Sequence, residues 1–328
     1  MSKECTDCLP KINLDEPRYD QETYVGRAKH FFETTNPLNL FVSSRKLEEA
    51  RCLVLKYRCK EPLPCDITED DLWRAKVLYD SAFHPDTGEK MNIIGRMSAQ
   101  VPMNMLITGG MLAFYKSTPA VIFWQWLNQS FNALVNYTNR SGDVPFTDKQ
   151  IATSYVLATS GAVATALSLN RLCRNAPPLL GRLVPLAAVA TANCINIPLM
   201  RAQELKNGTP VYDECNNKLG YSKNAAQAGI SQVIFSRIFM ATPGMLLTPV
   251  LMNYLERRGT LCRYPWINLP VQIAFLGFCL TFATPLACAF FKQKNLLPYK
   301  HLEPELREVL DKKFSDRPPK YVYYNKGL

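Results

Sequence analysis

The chain alternates between polar and apolar character on the scale of whole segments. Residues 1–96 are polar, 97–291 contain long apolar runs, and 292–328 are polar again. Five runs in the middle exceed the roughly 17 residues a helix needs to cross a bilayer: 97–115, 151–169, 183–200, 229–253 and 267–291. Basic residues gather at their ends: Arg96 and Lys116; Arg171, Arg174 and Arg182; Arg201; Arg257, Arg258 and Arg263; Lys292 and Lys294. The pattern predicts an all-α, multi-pass helical membrane protein. Its expected parts are a soluble helical N-terminal region (1–96), a transmembrane bundle of about five helices (97–291) and a soluble C-terminal tail (292–328).

One stretch fits neither pattern. From Ala120 to Asn139 it carries no charge, yet it is crowded with amides. Projected as a helix at about 100° per residue, Gln125, Asn128, Gln129, Asn132, Asn136, Asn139 and Arg140 share one stripe. Trp124, Leu127, Phe131, Leu134 and Thr138 lie behind it. Asn is a poor helix former and costly to bury without partners. Two readings follow: a surface helix with its amides in water, or a wet seam inside a membrane protein. Solvated faces usually carry Lys and Glu, and this one has neither. Residues 119–139 are therefore expected to form a polar amphipathic or re-entrant helix. Five spans also keep the basic loops 170–182 and 254–266 on the N-terminal side, which the positive-inside bias makes the inner side.

The N-terminal region predicts helices of its own. Ser43 or Ser44 caps one carrying Leu47, Ala50, Leu53, Val54 and Tyr57 at helical spacing, which Pro62 and Pro64 end. Thr68-Glu69-Asp70-Asp71 opens the next with acids in its first turn. It runs to the turn His84-Pro85-Asp86-Thr87-Gly88-Glu89-Lys90. There His84, Asp86 and Glu89 read as a gate or a structural clamp; the short cluster lacks a rigid metal-ligand spacing. Loop 201–228 reads as a small hairpin outside the membrane.

Prolines 102, 185, 198, 243, 249, 270 and 285 fall in the apolar runs, where they read as interruptions. Freed backbone groups at membrane depth either line a wet cavity or pack inside the bundle. Arg237 is the one charge well inside a run; it snorkels to a helix end or faces a polar interior and a substrate carboxylate. Asn193 and Asn196 stand just before Pro198. The candidate substrate path is thus Gln125, Asn128, Asn132, Asn136, Asn193, Asn196 and Arg237.

Composition narrows the function further. The net charge of +10 comes from residues flanking apolar runs, which suits contact with anionic lipid and not nucleic acid. The eleven Cys are scattered, and Cys5-x-x-Cys8 is an isolated pair, so no disulfide framework or metal site is expected. No Walker loop, dinucleotide fingerprint, nucleophile elbow or His-rich set occurs, and neither an enzyme nor a cofactor is expected. The acidic start (Glu4, Asp7, Asp15, Glu16, Asp20) is unlike a secretory signal or a cleaved presequence, so any organelle import is expected to use internal signals.

Four motifs carry a family resemblance. Tyr79–Lys90, Trp124–Ala133, Ala192–Pro198 and the ending Tyr324-Asn325-Lys326-Gly327-Leu328 resemble the sideroflexin family from about Ile12 onward, and within it the branch of sideroflexin-1 and sideroflexin-3. The resemblance implies a multi-pass protein of the mitochondrial inner membrane that moves serine, and other small neutral amino acids such as alanine and cysteine, into the matrix for one-carbon metabolism. The alternatives are an assembly or scaffold protein with inner-membrane protein partners, or a role in iron and haem homeostasis. The N-terminus is expected on the matrix side.

Overall fold

The computed structural model describes residues 12–63, 67–84, 87–114, 117–139, 148–173, 178–314 and 319–327. Cys5, Cys8, Pro64, Pro85, Asp86, Tyr115, Lys116, Arg140 and Arg174 lie outside the described residues.

The N-terminal helices begin where side chains satisfy free backbone amides. Thr23 caps α1 (Tyr24–Thr34) and Ser43 caps α2 (Ser44–Arg58). Thr68 and Asp71 form a reciprocal capping box at the start of α3 (Glu69–Ala82). Leu47, Ala50 and Val54 of α2 pack on Ala75, Tyr79 and Ala82 of α3, with Phe83 closing this small core. The region is tied to the bundle: the buried Arg27 side chain donates to the carbonyl of Ala289 at 2.8 Å, and the Tyr24 hydroxyl to that of Leu286 at 3.2 Å.

Main-chain hydrogen bonds tie the two sides of the turn after α3 together. The His84 amide donates to the Glu89 carbonyl at 2.8 Å, and the Gly88 amide to the His84 carbonyl at 2.9 Å. Gly88 sits at φ +65°, where a side chain would be strained. Phe83 and Lys90 pair across the turn as an isolated bridge.

The remaining elements follow in order: α4 (Gln100–Ala113), α5 (Thr118–Thr138), α6 (Asp148–Leu172), α7 (Pro178–Met200), α8 (Ala202–Asn207), β1 (Thr209–Tyr212), β2 (Lys218–Ser222), α9 (Lys223–Arg257), α10 (Thr260–Arg263), α11 (Asn268–Cys288), β3 (Lys294–Pro298), α12 (Pro304–Phe314) and β4 (Tyr321–Asn325). Among the described residues, four helical stretches are long and apolar enough to cross a membrane: Ala152–Leu172, Leu183–Met200, Lys223–Arg257 and Pro265–Cys288. The sequence leads one to expect about five. The run at 97–115 supplies only the 14 residues of α4, because the backbone first takes 3-10 turns at Ile93–Gly95 and Met97–Ala99. At about 1.5 Å per residue, α4 falls short of a hydrocarbon core about 30 Å thick.

The prolines do not break the helices. Pro185 and Pro198 lie inside α7, Pro243 and Pro249 inside α9, and Pro285 inside α11. Each removes one amide donor and frees the carbonyl four residues earlier while the helix continues. Pro102 and Pro270 occupy first turns, where no intrahelical bond is lost.

The all-α expectation needs correcting. The hairpin expected in loop 201–228 does form, but it joins the C-terminal tail in a four-stranded antiparallel sheet ordered β2-β1-β4-β3. Val211 faces Tyr324 and Leu297 faces Val322. These four bury with Leu219, Leu302 and Leu310 in one core. The strand Tyr321–Asn325 is short but rich in β-branched and aromatic residues, which favour a half-buried sheet. On the α9–α11 connection, Arg258 lies over the Tyr254 ring at 4.7 Å and Arg263 over the Tyr264 ring at 5.4 Å, beside the exposed Trp266. Basic and aromatic residues mixed in this way suit the headgroup level of a bilayer.

Candidate functional site

Helix α5 is inside out by the standard of a soluble protein. Its exposed positions include Ile122, Phe123, Trp126 and Tyr137, whereas Gln125, Asn128 and Gln129 are 2–4% exposed. The water-facing reading of the amide stripe therefore fails for its first half, which points into the bundle. Close packing against α4 holds the helix there: the Trp124 ring covers Gly110 so closely that a Cβ would lie 2.3 Å from it.

Among the described residues, three cavities follow the amide stripe. The largest, about 260 Å³, is lined by Asn132, Asn136 and Asn139 of α5, Asn193 and Asn196 of α7, Arg237 of α9, and Thr284 and Cys288 of α11. A second of about 60 Å³ adds Asn104, Thr108 and Asn128, and shares Gln100, Asn132, Asn193 and Arg237 with the first. Gln125 lines a separate space of only about 10 Å³ beside Trp124 and Asn170. Of the seven candidates read from the sequence, five thus meet in one cavity, Asn128 sits in the adjoining one, and Gln125 lies beyond both. His84 and Glu89 are not among the residues lining these spaces, and Asp86 is outside the described residues.

The hydrogen-bond inventory shows what these groups can still do. Asn193 Nδ2 donates to the Val189 carbonyl at 3.0 Å, which leaves its Oδ1 to face other partners. Asn104 Nδ2 donates to Gln100 Oε1 at 2.9 Å, leaving Asn104 Oδ1 as an acceptor. Asn139 is spent as a clamp, its Nδ2 donating to the carbonyls of Gly95 at 2.6 Å and Val135 at 2.8 Å. Gln125 Oε1, Asn128 Nδ2 and Gln129 Nε2 are buried with no partner among the described residues. Such atoms normally bind water or a solute. Arg237 lines both larger cavities and forms no hydrogen bond or ion pair with a described residue. A guanidinium in that position attracts a carboxylate.

The mouth of the large cavity is built from segments remote in sequence. Arg201 bonds Glu204 through Nε at 2.8 Å and through a second nitrogen, and donates from Nη1 to the Lys326 carbonyl at 2.7 Å. Gln293 Nε2 donates to Asn325 Oδ1 at 2.9 Å. Gly327, at φ +79°, lets the C-terminal strand pass Arg201; a Cβ there would lie 2.9 Å from the guanidinium.

Sequence reasoning missed two groups. Gln100, Asn104 and Thr108 stand at i, i+4 and i+8 on α4, a stripe that helical spacing reveals. The mouth residues Arg201, Glu204, Gln293, Asn325 and Gly327 come together only through the sheet and carry no local signal. Among the described residues, no group of three or more His, Cys, Asp or Glu is placed to hold a metal ion. The cavity can supply neutral donors and acceptors on several sides of a small solute, the guanidinium of Arg237, and the mutually paired Arg201 and Glu204.

Comparison with known proteins identifies the family. The family model described as Sideroflexins matches residues 13–328. Sideroflexin-1-3 of Drosophila melanogaster is 63% identical over 321 residues, covering 98% of this chain and 99% of that protein. Sideroflexin-1 of Homo sapiens is 58% identical over 319 residues, covering 97% and 98%. Sideroflexin-3 of Homo sapiens is 59% identical over 317 residues, covering 97% and 98%. No solved structure matches. With a full-length family match and a helical membrane bundle built around a polar seam, the chain belongs to the sideroflexin family.

Proposed function

We propose that the protein carries serine, and other small neutral amino acids such as alanine and cysteine, across the mitochondrial inner membrane into the matrix, where serine feeds one-carbon metabolism. The observation that carries this reading is Arg237, a cation with no hydrogen bond or ion pair to a described residue, shared by two amide-lined cavities inside a membrane bundle. A free amino acid presents a carboxylate for that cation and an ammonium group for amide oxygens. Neutral amides hold the solute by bonds of modest net strength, about 1 kcal/mol each, so it can also leave. A cavity of about 260 Å³ lies just below the roughly 300 Å³ at which drug-sized pockets begin, a volume suited to a small solute. The choice of serine and of the mitochondrion rests on family membership. Four spanning helices put the basic α9–α11 connection on the side opposite the N-terminal region, which Arg27 ties to the other end of α11, so this connection does not support an N-terminus on the matrix side.

Uptake of labelled serine into liposomes containing the purified chain tests the proposal. Wild-type protein is expected to give saturable uptake that alanine and cysteine inhibit. Asn132→Leu, which removes an amide from both cavities, and Asn196→Leu, which removes one from the larger, are each expected to raise the serine KM about 5- to 10-fold. Folded wild-type protein that gives no more uptake than empty liposomes refutes the proposal.

A further inference from the structure

We infer that the 60 Å³ chamber is the side-chain subsite of the transported amino acid, and that Asn128 selects for a hydroxyl there. The inference rests on the transport reading above and assigns a specific task to one part of the site.

The geometry begins at Arg237, which lines both the large cavity and the small chamber. A carboxylate bound to its guanidinium lies at their junction. The α-carbon is then one bond away, and its two remaining substituents divide between the two spaces. An ammonium group has three donors and a tightly held hydration shell. It belongs in the larger cavity, where Asn136 and Asn196 add amide oxygens to those of the shared residues. The side chain is left for the chamber.

The chamber's chemistry matches a hydroxymethyl group. Asn128 is 4% exposed, and its Nδ2 is a buried donor with no partner among the described residues. Asn104 contributes Oδ1, an acceptor left over after its own amide bonds Gln100. A hydroxyl accepts one hydrogen bond and donates another, so it can satisfy both atoms. The other walls include Met245, Leu276 and Leu280, which tolerate a methyl or thiol group in place of the hydroxyl. The chamber is small beside the large cavity, about 60 against about 260 Å³, so it suits the smaller of the α-carbon's substituents and disfavours branched or longer side chains.

The test compares serine and alanine transport by purified full-length protein in liposomes. Asn128→Leu is expected to lower the serine-to-alanine ratio of kcat/KM about 5- to 10-fold while changing alanine transport less than twofold. Gln129→Leu is the control, since Gln129 Nε2 is equally buried and unpartnered but lines neither cavity; its ratio is expected to stay at the wild-type value. A second measurement needs no variant: valine and leucine are expected to inhibit wild-type serine uptake at least 10-fold more weakly than alanine. If Asn128→Leu fails to fold, this competition decides alone. Saturable uptake with an unchanged ratio in Asn128→Leu, or with valine as potent as alanine, overturns the subsite and leaves the transport reading standing. Absence of saturable uptake by folded wild-type protein overturns both.

Discussion

Arg237→Gln is expected to lower serine kcat/KM about 10- to 100-fold while leaving the protein as stable as before, or more stable. The two effects share one cause. A hydrogen bond to a charged group contributes about 1.5–3 kcal/mol, and each 1.4 kcal/mol is a factor of ten in rate or affinity. Removing the guanidinium forfeits that interaction with the substrate carboxylate. Arg237 itself, however, has no hydrogen bond or ion pair with a described residue, so the variant breaks no such contact and removes a partly buried charge. Arg237→Lys keeps the charge but loses the planar fork, and is expected to recover only part of the uptake. Uptake in liposomes and the thermal midpoint in detergent, measured on the same preparation, check the claim. A large fall in midpoint with unchanged uptake per folded molecule makes Arg237 a structural residue.

Arg201→Ala is expected to do the reverse and cost about 2–3 kcal/mol of stability. Arg201 is well buried and directs three nitrogens at protein acceptors: two at Glu204 and one at the Lys326 carbonyl. Its loss leaves the Glu204 carboxylate, only 25% exposed, without its counter-charge, and unties the C-terminal strand from the cavity mouth. Breaking a fully buried pair by removing one partner costs about 3–5 kcal/mol, and the partial exposure of Glu204 lowers that figure. Arg201→Leu combined with Glu204→Leu removes both charges and is expected to regain at least half of the lost midpoint. A single variant as stable as wild type shows that the mouth is not held by this residue.

The contrast between these two arginines explains how much was legible in the sequence. Each shows as a charge in or beside an apolar run. Only the structure reveals that one is fully engaged and the other has no hydrogen bond or ion pair with a described residue. The amide stripe on α5 was readable because helical periodicity is a local property, and Asn132, Asn136, Asn193, Asn196 and Arg237 do converge. The matching stripe on α4 had the same kind of signal, but Gln100, Asn104 and Thr108 are diluted by Met and Leu. The sheet was half legible. The 209–222 hairpin announces itself by Gly and Asn turn residues, whereas its pairing with 321–325 spans more than a hundred residues and follows from burial of Val211, Val322 and Tyr324. The prolines misled for a physical reason: neighbouring helices sustain a helix that has lost one hydrogen bond. The turn at His84 combines residues suited to chemistry, and the structure adds main-chain bonds that join its two sides.

The central claim is that serine occupies the large cavity, and Cys288 reports on that directly because its side chain lines the same space. The measurement is the rate of Cys288 modification by a small thiol reagent, followed by mass spectrometry on wild-type protein with and without saturating serine. Cys52 and Cys59, exposed on and just after α2, serve as internal references. Serine is expected to slow modification of Cys288 severalfold while the reference rates stay constant. An unchanged Cys288 rate at serine concentrations that saturate uptake contradicts the assignment of the cavity.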